Sequence, residues 1–260
     1  MFMRFVSDLW EEFSNATQQA ALAASEWIGK RDGKAADGAA VDAMRSVLNR
    51  ISMDGRIAIG EGERDEAPML YIGERLGNKL DTDDTINVDI AVDPLECTTN
   101  CALNKPNAIS VLAAAPRGKL LHAPDTYMNK VAGSGSLQGH ISVEQDVSSN
   151  AESAASELNI PLSKLRVTIL DRPRHKNQIT SLKKLGVDLR LISDGDISAS
   201  IEAMRGDKCD LMLGIGAAPE GVISAVASHA LGGVFEGKLE FRDEADRERC
   251  LTMLEYPSQS

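Results

Sequence analysis

At 260 residues the chain is long enough for one large or two small domains with a sizeable core. Apolar residues make up 43% but aromatics only 4%, so Ala, Leu, Ile and Val must build that core, a composition suited to helices packed on a sheet. Lys and Arg number 28 against 39 Asp and Glu, a formal charge of −11, which argues against a partner nucleic acid or anionic membrane but leaves a small phosphorylated ligand open.

The cysteines, Cys97, Cys101, Cys209 and Cys250, form no Cys-x-x-Cys pair and accompany no histidine cluster, so neither a disulfide framework nor a zinc site is expected. The N-terminus lacks a secretory core, and no apolar run is long enough to span a bilayer. The expectation is a cytoplasmic protein, or an organellar one if a transit peptide has been removed.

In chain order, apolar residues from Phe13 to Trp27, Leu22 among them, predict a helix over 6–29, ended by Gly29 and the Asp32-Gly33-Lys34 loop. A second helix is predicted over 37–51, for which Asp37 taken alone reads as the N-cap. A short strand, Arg56–Ile59, then runs into Gly60-Glu61-Gly62-Glu63-Arg64-Asp65-Glu66-Ala67-Pro68. Glu61 thus follows a strand's carboxyl end, where α/β sheets place their sites. After an Asp-rich connector at 81–84, alternation from Ile86 to Val92 predicts a strand that delivers Asp93 and Glu96 to a turn. Pro94 should stop its ladder. Thr98 and Thr99 should cap the next helix, whose free N–H groups favour an anion. Carboxylates beside an anion site conflict unless a cation lies between them, so a divalent metal and a phosphate would satisfy the turn together.

Residues 108–114 and 119–123 read as an antiparallel pair about Pro116-Arg117-Gly118, and 139–143 as strand-like. A domain boundary is expected near 154–161, dividing the chain into 1–154 and 155–260. Three strands, at 167–170, 188–192 and 210–215, alternate with helical stretches, which predicts parallel strands with their following loops on one rim. Those loops hold Arg172-Pro173-Arg174-His175, Asp194-Gly195-Asp196 and Gly216–Gly221. Gly214-x-Gly216 leads to Pro219-Glu220-Gly221 rather than a Gly-x-Gly-x-x-Gly turn, which argues against a dinucleotide.

Several of these blocks resemble class II fructose-1,6-bisphosphatase. They are Ala36-Asp37-Gly38, Ile59-Gly60-Glu61-Gly62-Glu63, Asp93-Pro94-Leu95-Glu96, Ala123-Pro124-Asp125 with Tyr127-Met128, the Arg172 and Asp194 loops, and Ala218-Pro219-Glu220-Gly221. Their order and spacing match from about residue 13 to 249. The wording around Asp171–Lys176 and Gly216–Glu220 is similar to the photosynthetic branch, which also acts on sedoheptulose 1,7-bisphosphate. The resemblance implies the two-domain α/β fold of the lithium-sensitive sugar and inositol phosphatases, with a mixed sheet followed by a smaller sheet of parallel strands and helices. It implies Mg²⁺ or Mn²⁺ on Asp37, Glu61, Asp93, Glu96 and Glu220. It gives catalytic roles to Thr98, Glu61 and Asp93. Substrate contacts fall to Glu96, Cys97, Thr98, Tyr127, Arg172, Pro173, Arg174, Asp194, Gly195, Asp196 and Ala217. The implied reaction removes the 1-phosphate of a sugar bisphosphate, in a homo-oligomer of two or four chains.

The chain departs from the family pattern at three points. Cys97 stands where the turn Asp-Pro-(Ile/Leu)-Glu-Gly-Thr has glycine, Ala217 stands where many members have glycine, and the chain is shorter at its C-terminus. These departures raise one alternative, a weak or silent homologue that binds sugar phosphate or assembles with a full-length partner; the shared fold leaves another, an inositol-phosphatase-like enzyme. The second is disfavoured by the Arg-Pro-Arg loop.

Overall fold

A computed structural model describes residues 5–62, 69–80 and 85–255; the acidic run at 63–68, the connector at 81–84 and the tail at 256–260 lie outside them. The chain divides into two compact units, one reaching His122 and one over Ala123–Leu254. The fold class is α/β, built on two mixed sheets. No helix among the described residues is long and apolar enough to cross a membrane.

In the first unit, a 3-10 turn at Val6–Leu9 precedes α1 (Trp10–Ser25), so the expected single helix is shorter and begins in a different geometry. Its inward stripe is Phe13, Ala16, Ala20 and Ala24, whereas Leu22 faces outward. The second helix, α2 (Gly33–Leu48), starts before the expected position because Asp32 caps it, its Oδ1 accepting the Ala35 N–H at 3.0 Å. Asp37 therefore lies inside the helix and is not its cap. Strands β1 (Asp54–Ile59), β2 (Arg75–Leu76) and β3 (Asn87–Glu96), the short helix α3 (Thr98–Ala102) and β4 (Ile109–Pro116) complete the unit. The sheet order is β2-β1-β3-β4, with β1 and β3 parallel and the outer pairs antiparallel. Met44, Leu48, Ile57, Val88 and Ile90 are buried together between α2 and this sheet. The parallel pairing has a functional consequence, since the ends of β1 and β3 share one rim and bring Glu61 and Asp93 to it.

Two strand expectations fail here. Pro94 does not end β3; the pairing passes from Asp93↔Val111 to Glu96↔Ile109, so Pro94 and Leu95 occupy a bulge where one missing N–H is tolerated. Residues 119–123 form no strand. β4 pairs instead with β3, and the turn after it is pinned because Arg117 donates to the Asp54 carbonyl at 2.8 Å while the Gly118 N–H donates to Asp89.

The second unit holds β5 (Tyr127–Gly133), α4 (Val147–Glu157), β6 (Arg166–Leu170), α5 (Lys176–Leu185), β7 (Asp188–Ile192), α6 (Asp196–Arg205), β8 (Leu211–Ala217), α7 (Ala218–Leu231), β9 (Val234–Glu240) and α8 (Glu244–Glu255). Its order is β7-β6-β8-β5-β9, five strands against four in the first sheet among the described residues, so it is not the smaller one. The three expected strands are parallel, and β5 lies between β8 and β9, antiparallel to both. Alternation decides the layers. Val131, Val167, Ile169, Leu211 and Leu213 pack with α4 and α5, and Ala132 and Met212 turn to the opposite face with Ala199, Ala203 and Met204 of α6. Because β5 bonds to both β8 and β9, it belongs to this unit, and compact packing divides the chain at His122 rather than near 154. Residues 139–143 form turns and loop rather than a strand. Asn150 satisfies both backbone groups of Ser142 with its amide, in place of a ladder.

Candidate active site

In the first unit, Asp37 on α2, Glu61 after β1 and Asp93 on β3 are close enough to perturb one another. Burial, then the charges of Asp37 and Asp93, push the Glu61 carboxyl up to about 8. Burial and Asp93 raise Asp37 as well. Three half-buried carboxylates that oppose one another's ionisation are an oxygen-donor set with excess negative charge. Hard divalent cations fit such a set, because they take oxygen ligands and neutralise it.

The bulge aims the end of β3. Asp93 Oδ1 accepts the Leu95 N–H at 3.1 Å, closing a local turn that carries the chain to buried Glu96. Cys97 then adopts φ +64° and ψ +47°, the left-handed region. Its thiol lies 3.5 Å from Glu96 Oε1. Neither threonine caps α3. Cys97 is the N-cap residue, and Thr98 Oγ1 donates to the Leu95 carbonyl at 2.9 Å. With its hydrogen committed, the Thr98 oxygen faces other partners as an acceptor.

The second unit gathers its predicted residues at the carboxyl ends of its parallel strands. Tyr127 and Ala217 are register partners on β5 and β8. Arg172 precedes a 3-10 turn whose first residue is Pro173. The Arg174 guanidinium stacks on the Tyr127 ring at 4.8 Å and donates to the Ile215 carbonyl through Nε at 3.0 Å and Nη2 at 2.7 Å. Gly195, at φ +94°, turns the chain into α6. Asp194 is half-buried, whereas Asp196 is buried and accepts from Lys130 Nζ at 2.7 Å. An added Cβ at Gly216 would sit 2.0 Å from Asp196 Oδ2, so this pair depends on a glycine beside it. Glu220, the fifth expected ligand, is in the first turn of α7.

Two residues with clear geometric roles are not evident from sequence pattern. Lys130 is fully buried within β5; a lone cation beside Val131 and Ala132, in a chain with an Asp-Gly-Asp loop to pair it, was the available signal. His175 is also fully buried, bonded through both ring nitrogens, and nothing in its exposed-looking Arg-Pro-Arg-His context marked it as internal.

Residues 7–257 match the family model described as bacterial fructose-1,6-bisphosphatase, glpX-encoded. The chain is 45% identical over 247 residues to a D-fructose 1,6-bisphosphatase class 2/sedoheptulose 1,7-bisphosphatase of Microcystis aeruginosa, covering 92% of this chain and 72% of that protein. It is 44% identical to the Synechocystis protein of the same description, with the same coverage. It is 47% identical over 234 residues to fructose-1,6-bisphosphatase 1 class 2 of Escherichia coli, covering 90% of this chain and 68% of that protein. The chain belongs to the bacterial, glpX-encoded fructose-1,6-bisphosphatase family.

Proposed function

We propose that the chain hydrolyses the 1-phosphate of fructose 1,6-bisphosphate, and that of sedoheptulose 1,7-bisphosphate, in a Mg²⁺- or Mn²⁺-dependent reaction. The observation that carries this reading is the mutually opposed trio Asp37, Glu61 and Asp93, whose charges call for a cation. With Glu96 they would hold the metal, a set to which the family resemblance adds Glu220. When bound, the metal acidifies water and offsets charge on the phosphoryl and leaving oxygens. Thr98, whose hydrogen is held by the Leu95 carbonyl, accepts a hydrogen bond from the attacking water and so orients its lone pair. Arg172 and Arg174 bind the second phosphate, for which a guanidinium fork is matched in shape and charge. Asp194 accepts from sugar hydroxyls, a role that Asp196 shares less because Lys130 engages it.

Phosphate release from fructose 1,6-bisphosphate is the direct test. Activity should require Mg²⁺ or Mn²⁺ and vanish with chelator, and the absence of metal-dependent release would reject the reading. Thr98→Ala should lower kcat about 100-fold while Thr98→Ser retains most of it. A panel including inositol monophosphate separates the inositol-phosphatase alternative. The silent-homologue reading draws its support from Cys97 in left-handed geometry. We also propose a cytoplasmic homo-oligomer, supported by the family resemblance and testable by light scattering.

A further inference from the structure

The parallel ladder between β6 and β8 runs as far as Ile169↔Leu213. Just beyond it, the imidazole of His175 spans the same two strands. Nδ1 lies 2.8 Å from the Leu170 carbonyl, and Nε2 accepts the Ile215 N–H at 2.8 Å. The two contacts fix the tautomer, with the hydrogen on Nδ1 and the lone pair on Nε2. Gly214, at φ +129°, makes room for the ring, since a Cβ there would lie 3.2 Å from Nε2. The peptide held in this way is the one that orients Arg174, for the Ile215 carbonyl accepts both Nε and Nη2 of that side chain.

We infer that His175 is a positioning residue for the phosphate-binding arginine, acting through the backbone of Ile215. It replaces a ladder bond with a side chain, fixes residue 215 from the β6 side, and thereby fixes the acceptor that aims the Arg174 fork. On the other side, Ile215 is paired with Asn129 of β5, and the Arg174 fork lies over Tyr127 at the start of that strand. The guanidinium is thus held from two directions with its Nη1 edge left to the ligand. Burial, reinforced by the neighbouring Arg174 and Arg172 charges, pushes His175 below its ordinary pKa, in keeping with a ring that must stay neutral to accept from Ile215. This inference rests on the reading of Arg174 as a clamp for the second phosphate.

The test is a double-mutant cycle on KM for fructose 1,6-bisphosphate, with circular dichroism confirming folded variants. His175→Asn keeps a donor for Leu170 but is too short to accept from Ile215; KM should rise about tenfold with kcat changed little. His175→Gln places an oxygen near the Nε2 position and should restore most of the affinity. Arg174→Ala should raise KM at least as much, and adding His175→Asn to it should raise KM no further. Additive effects, or an unchanged KM in His175→Asn beside a raised KM in Arg174→Ala, would overturn the positioning role while leaving the clamp intact. An unchanged KM in Arg174→Ala would overturn the clamp and the positioning role with it.

Discussion

Cys97 places a side chain where the backbone favours none. At φ +64° its Cβ crowds the adjoining peptide, a cost of about 1–2 kcal/mol that glycine avoids. Glycine brings an ordering cost of about 0.5–1 kcal/mol, so Cys97→Gly should gain about 0.5–1 kcal/mol net. In a chain of this size that is a rise in Tm of about 1–4 °C. Cys97→Ala removes the thiol beside Glu96 yet keeps the Cβ, so it should show no such gain. Turnover should follow the backbone and rise in the glycine variant alone; equal behaviour of the two variants would mean that the thiol, not φ, is what matters. The family glycine at this position left two uses open, a positive φ or close approach of the phosphate, and how the turn joins α3 decides for the first. Asp37 shows the reverse. Read locally it was a cap, the role that Asp32 fills five residues earlier, and only the family resemblance had set it among the metal ligands.

Among the elements, β5 carries a lysine whose side chain has no exposed surface. Its Lys130 is fully buried against Asp196 at the start of α6, so the pair ties the sheet to the helix beneath the Asp194 loop. Removing one partner leaves the other charged and dry, and Lys130→Met should cost about 3–5 kcal/mol in urea denaturation. Replacing both, as Lys130→Met with Asp196→Leu, should recover much of that stability, because a buried ion pair is often matched by apolar side chains of similar volume. A single variant as stable as the parent would show that the pair bears no weight. The parallel strands were readable because each is a short apolar run bounded by turn residues. β9 was not, since Val234–Glu240 mixes Glu, Gly and Lys and owes its strand to pairing with β5. The hairpin at 119–123 failed for a related reason. Arg117 and Gly118 bond to acids on β1 and β3, and such long-range partners leave no trace in local alternation.

For the whole molecule, two groups with displaced pKa values set opposing pH limbs. His175 is held below its usual 6.5, so it binds protons less readily folded than unfolded; its contribution is complete above about 6.5 and is lost as pH falls toward the lowered folded value. Glu61 is raised from 4.5 to about 8, so the folded state holds the proton more tightly. Its effect has the other sign: stability is greatest below about 4.5 and declines as pH rises through about 8. In metal-free protein the Glu61 limb should therefore lower the Tm across the interval from about pH 6.5 to 8, above the range in which His175 acts. A divalent cation should reverse that fall, since it binds the ionised carboxylates and displaces the proton that Glu61 would otherwise retain. At fixed free Mn²⁺ or Mg²⁺ the gain in Tm should be larger at pH 8 than at pH 6, because stabilisation grows as RT ln(1 + [L]/Kd) and the apparent Kd drops as the proton leaves. Glu61→Gln, which cannot ionise, should flatten the metal-free limb and remove most of the pH dependence of the gain. Equal metal-induced shifts at both pH values in the parent protein would place the cation elsewhere than on the Asp37, Glu61 and Asp93 trio.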